Sequence, residues 1–159
     1  MFTTELNYRT CTEQKNHYII EKNDLIWSSK RLFIRIVQGF ITDFASTPKI
    51  IWGLLPPMGK YSKAVTLHDF IYATGVVSKL RCERIFWKAM AYDNVTLWKR
   101  LILILFTTTF GWIFWFNWKV LRETNPKKWS KLTGLPEFWV IAGIPPTIFR
   151  KVQRPSCRN

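Results

Sequence analysis

Acidic side chains are scarce in this 159-residue chain: ten Asp and Glu stand against 24 Lys and Arg, a formal net charge of +14. Such a surplus repels itself in water and suits an anionic partner, whether nucleic acid, a membrane surface or the acidic face of a protein. Cysteine is scarce too. Cys11, Cys82 and Cys157 are widely spaced and form no C-x-x-C pair, so neither a disulfide framework nor a zinc site is indicated, and a reducing compartment is the simplest reading. No apolar core follows the first residues, so residues 1–10 do not read as a secretory signal. There is no internal repeat, no low-complexity tract, and no helix-turn-helix or zinc-finger signature. The length allows one ordinary domain, not a large multi-domain enzyme. Disorder is excluded by what is present: 48% apolar residues, 16% aromatic, with nine Trp.

The charge is uneven. Residues 1–94 hold 13 basic and 8 acidic side chains, and residues 95–159 hold 11 basic against only Glu123 and Glu137. The second part is also rich in Trp. Basic residues interleaved with aromatics suit single strands of nucleic acid and, equally, a membrane interface.

The pattern predicts an α+β fold. Residues 17–20 and 32–37 read as strands, with Leu32, Ile34 and Ile36 alternating with Phe33, Arg35 and Val37, and turn residues at Asn23-Asp24 and Ser28-Ser29. An antiparallel meander of three or four strands is expected. Pro48 suits the first turn of a short helix over 49–55, ended by Pro56-Pro57-Met58-Gly59. A second helix is expected over 61–74 with Gly75 as its stop, and a third from Ser78 to about residue 92. Three segments follow: 1–95 as a sheet and helix-pair core, 96–122 as an apolar helix, and 123–159 as a basic C-terminal arm containing Trp and Pro.

Residues 101–118 contain no charge, and basic residues flank them on both sides. Eighteen helical residues span roughly 27 Å, the lower edge of what crosses a bilayer. Two readings stand: a core helix softened by Thr107, Thr108, Thr109 and Asn117, or a transmembrane helix anchored by its Trp residues. Residues 138–149 are apolar but broken by Gly143 and Pro145-Pro146. They suit an arm that packs on the core or lies on a membrane.

Of the two histidines, His17 reads as a part-exposed strand residue with no carboxylate pattern near it. His68 lies in His68-Asp69-Phe70-Ile71-Tyr72. On a helix His68 and Tyr72 share a face, while Asp69 is turned about 100° away toward a neighbouring site, as a metal ligand would be. Upstream, Gly39, Thr42, Asp43, Ser46 and Pro48 gather in a loop between sheet and helix, where site residues concentrate. If the helices on either side of Gly75 pack antiparallel, Glu83 comes within reach of His68 or Tyr72. The cluster is then either a site or a buried polar network that fixes how the elements dock.

Four ordered motifs carry a resemblance: G-F-x-T-D-x-A-S-x-P at 39–48, P-P-x-G-x-Y-S-x-A at 56–64, H-D-x-x-Y at 68–72 and F-x-x-A-M at 86–90. Over about residues 15–118 the chain resembles a bacteriophage and prophage family catalogued as domain of unknown function thirteen fifty-three. That resemblance implies a small phage accessory protein acting in infection or lysis, in the host-cell membrane, at its surface, or in the virion. An anionic membrane surface and a phage or host envelope protein are the expected partners, and nucleic acid ranks last. H-D-x-x-Y followed by an acid on the next helix is also similar to the catalytic helix pair of phospholipase A2. This similarity implies a calcium-dependent ester hydrolase: His68 as general base, Tyr72 and Glu83 orienting its ring, and Asp69 with Asp43 as calcium ligands beside loop carbonyls. The alternative is a non-enzymatic virion or envelope protein in which the same cluster is structural.

Overall fold

The computed structural model describes residues 1–11, 17–30, 32–42, 59–145 and 148–151. The expected helix at 49–55 and its Pro-Pro stop lie outside these residues. Within them the fold is α+β, with two small antiparallel sheets in place of one meander. The first joins β1 (Tyr8–Thr10), β2 (Tyr18–Ile20) and β5 (Ile41–Thr42), in the order β1-β2-β5. The second joins β3 (Leu25–Ser29), β4 (Leu32–Ile36) and β6 (Phe149–Lys151), in the order β3-β4-β6. Alternation holds along β4: Leu32, Ile34 and Ile36 are buried and Arg35 is exposed. The C-terminal arm supplies β6, which pairs antiparallel with β4 and places Phe149 opposite Ile34.

Two helices follow. α1 (Ser62–Thr74) ends at Gly75, whose φ of 65° is left-handed and whose N–H returns to the Ile71 carbonyl. α2 (Lys79–Tyr92) starts after Ser78. Both run close to the expected bounds, and they pack against each other through a core that includes Leu67, Phe70, Ile71, Cys82, Phe86 and Met90. Cys11 and Cys82 are buried free thiols.

The apolar stretch does not form one helix. It forms α3 (Leu97–Thr109) and α4 (Gly111–Thr124), bent by 54°. No single described helix is long and apolar enough to cross a membrane, and only the bent pair together reaches that length and composition. Local chemistry accounts for the break. The Thr108 and Thr109 hydroxyls both donate back to carbonyls four residues earlier, Ile104 and Leu105, at 2.7 Å, a habit that bends helices. Gly111 then lets the backbone come close to α1, where a β-carbon would sit 2.4 Å from the Tyr72 hydroxyl oxygen.

α5 (Pro126–Thr133) and α6 (Phe138–Ala142) complete the fold. The Asn125 side chain accepts from the Lys128 N–H and caps α5, with Pro126 at its first turn. Arg122 of α4 and the Trp129 indole both donate to the Ala73 carbonyl, at 3.2 and 2.8 Å. That oxygen lies in the last turn of α1, where carbonyls lack helical partners, so the end of α1 becomes the seat for α4 and α5.

Gly134, at φ 69°, ends α5 against the sheet side of the molecule, and a β-carbon there would stand 2.0 Å from the Gly39 carbonyl oxygen. Gly134→Ala is expected to destabilise the fold by at least about 2 kcal/mol, read by urea unfolding. A loss below about 0.5 kcal/mol would contradict this close approach.

Candidate functional site

The site grows out of Glu83, a carboxylate on the second turn of α2 that is only 6% exposed. A buried charge must be paired and hydrogen-bonded. Three elements supply the partners. From α1, the Tyr72 hydroxyl donates to Glu83 Oε1 at 2.8 Å. From α2 itself, Lys79, four residues earlier, reaches the same oxygen at 3.1 Å. From α3, the Thr107 hydroxyl donates to Oε2 at 2.6 Å. Lys79 Nζ also donates to the Thr107 carbonyl at 2.9 Å, satisfying an acceptor near the end of α3. The Lys79 ammonium lies 5.0 Å from the centroid of the Trp112 ring, at the start of α4.

His68 stands beside this hub, 7% exposed, its ring centred 4.2 Å from that of Tyr72 and 4.6 Å from that of Phe86. Nε2 is 3.5 Å from Glu83 Oε1 and Nδ1 is 3.9 Å from Asp69 Oδ1. These are ion-pair contacts; Nε2 has no hydrogen-bond partner among the described residues. The expectation that Asp69 turns away from His68 therefore needs correcting: it stays within 4 Å of the ring, and its other oxygen accepts from the Thr42 hydroxyl of β5 at 2.5 Å.

The structure thus brings His68, Asp69, Tyr72, Glu83 and Thr42 together. Gly39 faces Gly134. Asp43, Ser46 and Pro48 lie outside the described residues. Three participants escape the sequence reading. Lys79 is signalled by its four-residue spacing from Glu83. Thr107 looks like one of three softening threonines, and nothing in the sequence sets it apart. His17, flanking β2, lines the same cavity as His68, a placement that depends on β2 pairing with β5.

That cavity holds about 260 Å³ between β5, α1, α3 and α4. Thr42, His68 and Asp69 give it polar wall, while Phe40, Leu103, Phe106, Phe114 and Trp118 give it apolar wall. For calcium, the described residues fit poorly. Glu83 is occupied by three donors, Asp69 is the remaining carboxylate beside His68, and no group of three His, Cys, Asp or Glu side chains among the described residues is placed to hold a metal ion.

Burial alone would lower the His68 pKa, but the neighbouring Asp69 and Glu83 carboxylates outweigh it and hold it above the ordinary 6.5. Burial likewise opposes ionisation of Glu83, but His68, Thr107 and Tyr72 bring its pKa down from 4.5 to about 2. For Tyr72, burial and then the Glu83 charge push the phenol up, so it remains a donor. The two shifts bound a window. The Glu83 contribution to stability is complete above about pH 4.5 and is lost as pH falls toward about 2. The His68 contribution is complete below pH 6.5 and is lost as pH rises through its raised folded value. Their combined contribution should therefore peak between pH 4.5 and 6.5. Glu83→Gln, which leaves Lys79 buried without its counter-charge, should cost about 3–5 kcal/mol there. The difference between wild type and variant should shrink toward pH 2, read by thermal unfolding across pH. A difference independent of pH would contradict the buried carboxylate.

Comparison with known proteins gives one family. The family model described as protein of unknown function, DUF1353, matches residues 21–105. No curated protein and no solved structure matches, and the resemblance to phospholipase A2 finds no support there. The matched stretch is more than half of the 159 residues and contains His68, Asp69, Tyr72, Lys79 and Glu83, ending just before Thr107 and α4. The chain belongs to the DUF1353 family.

Proposed function

We propose that the protein is a phage-encoded accessory protein that works at the host-cell membrane, docking the bent pair α3–α4 on an anionic bilayer surface during infection or lysis. One observation carries the reading: both helices present large apolar side chains outward. On α3, Leu97, Leu101 and Leu105 are exposed at four-residue spacing; on α4, Trp112, Phe116 and Val120 repeat the pattern. Leu105 and Phe116 are 64% and 63% exposed. Helices with one face on the core and a second apolar face in solution have an unmet partner.

Charge favours an anionic bilayer as that partner. Lys119, Lys127, Lys128 and Lys131 are exposed on α4 and α5, each worth about 1 kcal/mol near an anionic leaflet. Such a pair would lie in the interface with its apolar face at the headgroup boundary. In this reading the Glu83 hub is the joint that holds the docking helices to the core. The phage setting comes from the sequence resemblance. A virion or envelope protein meeting the same apolar face is the alternative occupant. Ester hydrolysis with His68 as base is a second reading, supported by His68 lining the cavity; it expects His68→Gln to abolish hydrolysis and leave docking intact.

Co-sedimentation with phosphatidylglycerol vesicles tests docking. The wild type should pellet with them. Leu105→Asp combined with Phe116→Asp should weaken binding by at least about tenfold. Lys127→Glu with Lys128→Glu should weaken binding to phosphatidylglycerol but not to phosphatidylcholine. Wild type that stays in the supernatant, or variants that pellet like wild type, would overturn the reading.

A further inference from the structure

Bilayer docking makes no use of the cavity beside His68. His68 is 7% exposed, and its Nε2 has no hydrogen-bond partner among the described residues. That nitrogen is turned toward the Glu83 carboxylate, 3.5 Å away, so it is the rest of the ring, on the Asp69 side, that is left for other chemistry. His68 and Asp69 both line a cavity of about 260 Å³.

The cavity has two chemistries. His68 and Asp69 are neighbours on α1, and Thr42 donates to Asp69, so the polar groups form one patch. Leu103 and Phe106 of α3, with Phe114 and Trp118 of α4, form an apolar wall. Phe114 is also 39% exposed, so the wall reaches the surface. A volume of 260 Å³ matches roughly nine groups of water size, which takes most of a ten-carbon amphiphile and leaves the end of its chain at the exposed edge of Phe114.

We propose that this cavity binds a neutral single-chain amphiphile, its terminal hydroxyl against His68 and its alkyl chain along the α3–α4 wall. A hydroxyl fits because it both donates and accepts, and here it meets an imidazole and a carboxylate together. An anionic head fits worse. Asp69 and Glu83 stand 3.9 and 3.5 Å from the ring and already take up any charge it carries. A further negative group would face two carboxylates. The inference does not depend on membrane docking and can fail separately from it.

The test is titration of the full chain with decanol in the absence of vesicles, followed by Trp fluorescence and by the imidazole resonances of His68. Decanoate and decane serve as the charged and headless comparators. Saturable one-to-one binding of decanol is expected, with movement of the His68 resonances. Decanoate and decane should each bind at least about tenfold more weakly, the loss of one good polar contact. Leu132→Trp, which fills the cavity from a half-buried position on α5, should remove decanol binding while vesicle sedimentation persists. If Leu132→Trp fails to fold, Phe106→Trp, on the half-buried α3 wall, carries the same expectation. Absence of saturable decanol binding, decanoate binding as tightly as decanol, or a folded filling variant that binds like wild type would each overturn the proposal.

Discussion

The fold turns on one buried carboxylate. Glu83 takes hydrogen bonds from Tyr72 on α1, Lys79 on α2 and Thr107 on α3, and both of its oxygens are used. Burying an ion pair gains little over an apolar contact, but removing one partner leaves a charge stranded in low dielectric. That asymmetry makes the cluster a strict condition on assembly. Helix α3 reaches its place only where its Thr107 hydroxyl and carbonyl meet Glu83 and Lys79. Wherever α3 goes, α4 follows at a bend of 54°.

Other contacts converge on the same joint. Gly111 opens α4 directly over the Tyr72 hydroxyl, with no room for a β-carbon. The Trp115 ring meets Tyr72 edge-on at 5.1 Å, and Arg122 and Trp129 seat the next helices on the Ala73 carbonyl. Thus the polar hub, the bend and the outward apolar stripes of α3 and α4 are parts of one arrangement. The hub sets the angle between two helices whose inner faces complete the core and whose outer faces hold Leu105, Ile113 and Phe116 in solution. The cavity lies beside the same joint, with His68 and Tyr72 of α1 on one side and residues of α3 and α4 on the other.

What is legible in the sequence is local. Alternation at 32–36, the stop at Gly75, the start after Ser78 and the shared face of His68 and Tyr72 all follow from short-range rules, and the structure keeps them. The approach of Glu83 to Tyr72 is legible too, because a short turn forces two helices to pack side by side. What escapes is long-range. The stretch 101–118 reads as one helix, because its break depends on a tyrosine about forty positions earlier as well as on three threonines. The pairing of 149–151 with β4 joins segments more than a hundred residues apart, and no periodicity announces it. β1 lies in a polar stretch whose strand character comes only from its partner. Thr107 and His17 acquire their roles through these same distant pairings. Asp69 defeats the reading for a subtler reason: helical geometry turns its side chain from His68, yet Thr42 on another element holds it within reach of the ring.

The claim at the centre is that Tyr72 and Thr107, on different helices, are coupled through one carboxylate. A double-mutant cycle measures that coupling directly. Tyr72→Phe and Thr107→Val each remove one hydroxyl, and unfolding free energies are taken for wild type, both single variants and the pair at pH 6. A network sharing one acceptor gives a coupling energy of about 1 kcal/mol or more. Strict additivity, within about 0.3 kcal/mol, would mean that the two hydroxyls stabilise the fold independently and that Glu83 does not join the helices.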